Sequence, residues 1–346
     1  MARLEYFIKR FLLIVPTFLG ITFIVFALIQ FVPGGPVEQT ILKMRGGMHG
    51  EMGGGTQAHG SISEEQYQAI VAHFGFDKPL YVRYWKWLIT ERLGMLGASY
   101  AFPNRTAWDL IKQRFPVSLI FGIAGFILSY LVCIPLGIAK ALRNETVFDF
   151  GSSIIVFVGY SVPPFVLGMV LKMLVCGTVP GLPNVFPHAG FVSENFDTLS
   201  FWGKVHDVSM HMALPLLCYM IGEFAILTLL MKNSLLEQIS MDYVRTARAK
   251  GCSRRRAIWG HAVRNSLVPI ATGFGGVLTL LFAGSVLIEK VFEIPGMGKL
   301  SLEAMIGRDY IVFMGILSLT SILGLLGNIL SDFCYVVIDP RIDFSK

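Results

Sequence analysis

The chain has 346 residues, of which 54% are hydrophobic and 15% charged, and its mean hydropathy is +0.62. Soluble domains carry about 25% charged residues, so the composition excludes a soluble globular fold and implies a bundle of membrane spans. The net charge of +6 needs no nucleic acid, because cytoplasmic loops of membrane proteins collect Lys and Arg. The cysteines Cys133, Cys176, Cys218, Cys252 and Cys334 are odd in number and lack C-x-x-C spacing. That pattern argues against a disulfide framework or a zinc site.

A helix needs about 20 mostly apolar residues to cross the hydrocarbon core. Six stretches qualify, at roughly 11–32, 117–139, 150–176, 212–231, 267–288 and 311–337. They predict an all-α membrane protein with six transmembrane helices. The first follows Arg3, Lys9 and Arg10 and runs without a charge to Val32. It is too long for a signal-peptide core and no A-x-A site follows, so it reads as a retained span. With the N-terminus inside, the inner segments 1–10, 140–149, 232–266 and 338–346 hold fifteen Lys/Arg, against four in the short outer segments 177–211 and 289–310. The positive-inside rule therefore puts both termini in the cytoplasm. The expected organisation is residues 1–32 as N-terminus and span 1, an external subdomain at 33–116, and a five-span core at 117–346 with a cytoplasmic loop at about 232–266.

The 33–116 stretch opens on a glycine-rich segment, "RGGMHGEMGGG". Ser61 with Glu64, and Ser63 with Gln66, then form capping-box pairs that start a helix. Trp85 and Trp87 suit the membrane interface. A packing cap on the bundle and a docking surface for an external partner are equally consistent readings.

Within the third span, Pro163 and Pro164 lack amide donors and predict a kink, for which path lining and plain packing are both open. Glu223 falls near the middle of the fourth span. A charge there costs at least ~2.5 kcal/mol, so it should face the bundle interior, a water-filled path or a partner. Path lining would favour cationic peptides; a structural contact with another subunit is the stronger alternative. Lys172 lies nearer the outer end and can snorkel. His206, Asp207 and His211 form a possible metal set, but interface packing or hydrogen bonding is the favoured reading.

The 232–266 loop holds eight Lys/Arg. It reads as helix–Gly–helix: Asp242 or Ser240 caps the first helix, Arg248 and Lys250 suit its negative end, and Gly251 takes the left-handed terminal position. Ser253 then caps a second helix from Arg254 to about Ser266. Val244, Ala247 and Gly251 fall at i, i+3 and i+7 and share a face of little bulk, flanked by basic residues. Such a helix fits a groove on a partner. The plainer alternative is anchoring to the anionic inner leaflet, worth about 1 kcal/mol per basic residue. The loop is tied to spans at both ends, which disfavours DNA. "GMGKLS" at 296–301 resembles part of a phosphate loop, but Glu293 stands where the first glycine belongs and Leu300 follows the lysine. The chain therefore offers no nucleotide site and no catalytic grouping.

"YVRTARAKG" with "HAVRNSLVP" resembles the cytoplasmic loop of ABC importer permeases of the dipeptide/oligopeptide branch. "FVPGGPVEQ", "FGFDKPLYVRYWKWL", "VLIEKVFEIPGMGKL", "RDYIVFMG" and "LSDFCYVVIDPRIDF" fit the same branch in the same order. "PGGPVEQ", "FVSENFDTLSFW" and "DPRIDF" are most similar to Yej-type peptide permeases. The departures are Arg245-Thr246-Ala247 for the superfamily's Glu-Ala-Ala, Gly35 for a common Asp, and Met95 and Leu96 where an acidic residue is usual. The resemblance implies a bacterial inner-membrane, multi-pass permease that binds no ATP itself. It implies a second related permease, two ATP-binding subunits, a soluble solute-binding protein and a peptide substrate. It implies ATPase coupling through Tyr243, Val244, Arg245, Thr246, Ala247, Arg248, Lys250 and Gly251. The rival class is an ion-coupled secondary transporter or channel, for which one intramembrane Glu is thin support.

Overall fold

The structure is a computed structural model that describes residues 2–35, 37–38, 41, 63–73, 75–102, 104–271 and 284–338. The glycine-rich stretch at 45–55, Ser61, residues 272–283 of the expected fifth span and the ending at 339–344 lie outside the described residues. Among the described residues the chain is helical and no strand forms; two isolated bridges join Ala98 to Thr106 and Cys176 to Asn184. The helices are α1 (Ala2–Phe31), α2 (Glu64–His73), α3 (Leu80–Trp85), α4 (Ala107–Leu142), α5 (Val147–Ser161), α6 (Pro164–Val175) and α7 (Phe201–Ser240). They continue as α8 (Asp242–Ala249), α9 (Arg254–Ala257), α10 (Val263–Ser266), α11 (Val268–Ala271), α12 (Val286–Val291), α13 (Met297–Ile306) and α14 (Tyr310–Ile338). π-Helical turns extend α3 at Lys86–Thr90 and join α9 to α10 at Ile258–Ala262.

Within the described residues, stretches of α1, α4, α7 and α14 are each long and apolar enough to cross a membrane. The pair α5 and α6 makes a fifth candidate, bent by 95° at the break between them. The sequence predicted a kink at Pro163 and Pro164; the chain breaks there instead. Residues before proline are driven out of the helical region. Val162 and Pro163 each precede one, and both are extended at φ/ψ −93°/121° and −55°/133°. Pro164 then opens α6, where its missing N–H costs nothing.

The chain divides into two compact units. The first comprises Met1–Leu12, Arg114–Lys299 and Ile322–Lys346. Its longest element is α7, an unbroken 40-residue helix with Pro215 inside it, capped by Ser200, whose hydroxyl accepts from the Gly203 N–H at 3.3 Å. Two apolar cores flank it. One gathers Cys133, Ile138, Leu227, Met231 and Leu235 with Val244, Ala257 and Ile258; the other gathers Phe121, Met212, Cys218, Ile288 and Phe292. Helices α4 and α7 approach most closely at Gly137, where a Cβ would stand 2.6 Å from the Met231 Cβ and 2.8 Å from the Thr228 carbonyl oxygen.

The second unit comprises Leu13–Gln113 and Leu300–Ser321. The predicted capping box forms: the Ser63 N–H donates to Gln66 Oε1 at 3.1 Å and the Gln66 N–H to Ser63 Oγ at 3.2 Å. The two tryptophans divide. Trp85 is 53% exposed, whereas Trp87 is 3% exposed and packs with Phe26, Tyr84 and Met314. Trp87 is thus a core residue and not an interface anchor, because the helix turns it away from Trp85. Asp309 is buried and caps α14. It accepts from the Val312 N–H at 3.3 Å, the Ala101 N–H at 3.1 Å and the Ser99 hydroxyl.

Gly137→Ala forces α4 and α7 apart at backbone contact, so we expect a loss of about 1–3 kcal/mol. Thermal unfolding of the detergent-solubilised protein checks it; an unchanged midpoint contradicts the close approach.

Candidate functional site

At the end of α7 the backbone turns through Met241, which is extended at φ/ψ −68°/148°, and enters α8 directly. Neither expected cap forms. Ser240 Oγ donates back to the Glu237 carbonyl at 2.7 Å, and Asp242 lies inside the first turn, 3.6 Å from the Arg245 guanidinium. Helix α7 continues up to Ser240, which leaves no room for a separate side-chain cap. The other end of α8 follows the sequence. Gly251 takes φ +88°. The Gly251 N–H donates to the Arg248 carbonyl at 3.0 Å and the Cys252 N–H to the Ala247 carbonyl at 3.1 Å. These two bonds are a Schellman stop. Ser253 Oγ then accepts from the Arg256 N–H at 3.3 Å, and helical backbone continues to Ser266 through the π turn.

The low-bulk face is directed differently from the sequence expectation. Val244 is buried in the core with Leu235 and Ala257, and Ala247 packs against the same cluster. These two anchor α8 to the bundle, Val244 fully buried and Ala247 in part. The outward surface is Tyr243, Arg245, Thr246, Arg248, Lys250 and Gly251, all exposed. No atom lies within 4 Å of a Cβ built at Gly251.

A cluster that the sequence reading passes over joins α4, α5 and α7. Asp149 Oδ2 accepts from Lys232 Nζ at 2.7 Å, and Lys140 Nζ lies 3.1 Å from Asp149 Oδ1. Lys140 is fully buried, and it also donates to the Asp149 carbonyl at 2.9 Å, Ser152 Oγ at 2.9 Å and Ser153 Oγ at 2.7 Å. The ends of α4 and α7 are thus both tied to the first turn of α5. The signal in the sequence is Lys140, Asp149, Ser152 and Ser153 bracketing a short loop; the positive-inside rule uses Lys140 and Lys232 only as inside charges.

Of the remaining candidates, the proline break and Glu223 lie close together: a Cβ built at Gly222, next to Glu223, would stand 3.6 Å from Pro164 Cγ. Glu223 is exposed on α7, and its carboxylate makes no hydrogen bond or ion pair among the described residues. Pro163 and Pro164 form the break between α5 and α6. Lys172 is held by the Val291 carbonyl at 2.9 Å. The His211 ring nitrogen Nδ1 lies 2.9 Å from the Asp207 carbonyl oxygen, and Asp207 accepts from the Ser193 N–H at 3.0 Å, which is hydrogen bonding of the favoured kind. The segment resembling a phosphate loop does cradle an anion, but an internal one. The Lys299 N–H donates to Glu289 Oε2 at 2.7 Å, and Ser118 Oγ donates to Glu289 Oε1 at 3.1 Å. Burial raises the Glu289 carboxyl above the usual carboxylate range, and these donors hold it down.

The family model described as "Binding-protein-dependent transport system inner membrane component" matches residues 133–344. The chain is 38% identical to the peptidoglycan transport system permease protein YejB of Agrobacterium fabrum, covering 99% of this chain and 98% of the relative. It is 39% identical to the inner membrane ABC transporter permease protein YejB of Escherichia coli O157:H7, covering 98% and 99%. It is 34% identical to the dipeptide transport system permease protein DppB of Escherichia coli K12, covering 99% and 100%. The chain belongs to the family of inner-membrane components of binding-protein-dependent transport systems, and it is a transport permease, not a member of an enzyme family.

Asp149→Asn leaves Lys140 buried without a counter-charge. Breaking a buried pair in this way costs about 3–5 kcal/mol. A large drop in the unfolding midpoint is expected, and a change within measurement error contradicts the assigned role.

Proposed function

We propose that this permease subunit forms half of a path for peptides or peptide-like compounds and is driven by ATPase subunits bound at α8. The names of two relatives, one specifying dipeptides and one peptidoglycan, support a substrate class carrying peptide bonds. The proposed assembly pairs the chain with a second, related permease, two ATP-binding subunits and a soluble solute-binding protein. ATP stays on the partner subunits. The proposed topology has six spans, the fifth at 267–288, with both termini cytoplasmic and 33–116 reaching the outside; the bias of Lys and Arg supports it. Glu223, Pro163 and Pro164 are proposed to line the path.

The observation that carries the coupling role is the seating of α8. Its inward residues Val244 and Ala247 are fixed in the bundle core, its outward side is basic, and it follows a 40-residue helix after one extended residue. A push on the outward side therefore moves the bundle without bending the loop. The residues expected from the family resemblance, Tyr243 to Arg248 with Lys250 and Gly251, divide accordingly into anchors and contacts.

Gly251 separates two effects. Its φ of +88° strains ordinary side chains, but Asn tolerates the left-handed region. We expect Gly251→Asn to retain ATP-driven uptake and Gly251→Trp to lose it while the chain stays folded. Co-purification with the ATPase subunits, followed by ATP hydrolysis and uptake in proteoliposomes, measures both. Normal uptake by Gly251→Trp contradicts the coupling role, and absence of any ATPase from folded wild type sinks the whole reading in favour of ion coupling.

Glu223→Gln is expected to lower uptake of cationic peptides relative to acidic ones. Equal uptake of both, unchanged from wild type, removes Glu223 from the path.

A further inference from the structure

Residues 80–90 belong to the stretch that the sequence assigns to the outside. Their inward face is nonetheless fixed to the first span well below its end. Tyr84 Oη lies 2.9 Å from Thr22 Oγ and donates to the Leu19 carbonyl at 3.3 Å. The Tyr84 ring meets Phe23 and Phe26 edge-on, with centroids at 5.3 and 5.5 Å, and Trp87 lies against Phe26 at 6.0 Å. Met314 and Leu317 of α14 complete the cluster. Higher up, Arg83 Nη1 donates to Gln30 Oε1 at 2.9 Å.

These contacts set a depth. Thr22 precedes the end of α1 at Phe31 by nine residues, about 14 Å at 1.5 Å per residue. Half of the hydrocarbon core is about 15 Å. The Tyr84 hydroxyl therefore reaches toward the midplane, and the helix that carries it lies beside the upper turns of α1.

The segment has three sides. Leu80, Tyr84 and Trp87 face inward. Tyr81, Trp85 and Ile89 follow one another at four-residue spacing and are 64%, 53% and 64% exposed. Arg83, Lys86 and Thr90 form the polar side, and Lys86 Nζ lies 3.6 Å from Glu91. Phe23, Ile24, Leu28 and Phe31 of α1, the helix on which this segment packs through Tyr84 and Trp87, are exposed as well, as the lipid-facing residues of a span are. Apolar, polar and packed sides of this kind suit a helix set at the membrane boundary, whose apolar side reaches about 5–10 Å into the headgroup and acyl region, while the inward Tyr84 hydroxyl extends deeper along α1.

We infer that residues 80–90 are a lipid-embedded interfacial helix, with Tyr81, Trp85 and Ile89 inserted among the acyl chains of the leaflet that α1 leaves at Phe31. The partner of this surface is the bilayer, and the exposed Lys86 reaches its headgroups.

The test uses the assembled transporter in phosphatidylcholine/phosphatidylglycerol nanodiscs. In a background with the five native cysteines replaced, Tyr81→Cys, Trp85→Cys or Ile89→Cys is labelled with a nitroxide. Collision rates with oxygen and with a water-soluble nickel chelate are then compared. Oxygen is expected to dominate at all three, as at Leu28→Cys, with the ratio reversed at Gln68→Cys on α2. Nickel dominance at 81, 85 and 89 overturns the inference. So does loss of both collisions, whether constant, which marks a protein interface, or only after adding the solute-binding protein, which marks a docking surface. A conservative variant covers the case in which the cysteine-free background does not fold. In the native background, Trp85→Phe is expected to reduce the share of tryptophan fluorescence quenched by lipids brominated along the acyl chain; an unchanged share overturns the inference.

Discussion

Asp149 is one carboxylate shared by two lysines where α4, α5 and α7 converge. Lys140 is sealed from solvent, and an ammonium in that position is tolerated only while its counter-charge and hydroxyl partners stay in place. The demand fixes the start of α5 against the end of α4, and through Lys232 against α7. Ile138 and Ala141 of α4, with Met231 and Leu235 of α7, then form the floor on which Val244 of α8 rests. The seat of α8 thus depends on a polar constraint beneath an apolar one.

Four of the six expected spans, and a fifth where α5 and α6 count as one, were legible because about 20 apolar residues without charge have few uses outside a bilayer. The helix–Gly–helix layout at 242–266 was legible because left-handed glycines and serine caps act through local bonds, which short sequence windows contain. Long-range pairing was not legible. Nothing local joins Asp149 to Lys232, or Ser118 to Glu289, and periodicity alone cannot say whether Val244 and Ala247 face a partner or their own core. Trp87 was misassigned for the same reason. Residue type predicts an interface, while its position on α3, two residues after Trp85, decides which side it takes.

The 296–301 segment shows how a motif can be chemically sound and functionally silent. Glycine-rich backbone entering a helix does present N–H groups to an anion. Here the anion is the chain's own Glu289, so the amides are satisfied internally. The fragment resembles a phosphate loop because the same electrostatics builds both. The outcome differs because a covalently attached carboxylate is always present at high local concentration.

Pro215 has one more consequence. It lies inside α7 and offers no N–H to the carbonyl four residues earlier, that of His211. The continuous hydrogen-bonded length therefore runs from Pro215 to Ser240, 26 residues spanning roughly 38 Å. C-terminal to Pro215 the helix is one continuous hydrogen-bonded length, and at Pro215 its ladder is one bond short. The coupling proposed at α8 would therefore be relayed along a continuous length whose softest point is near its far end.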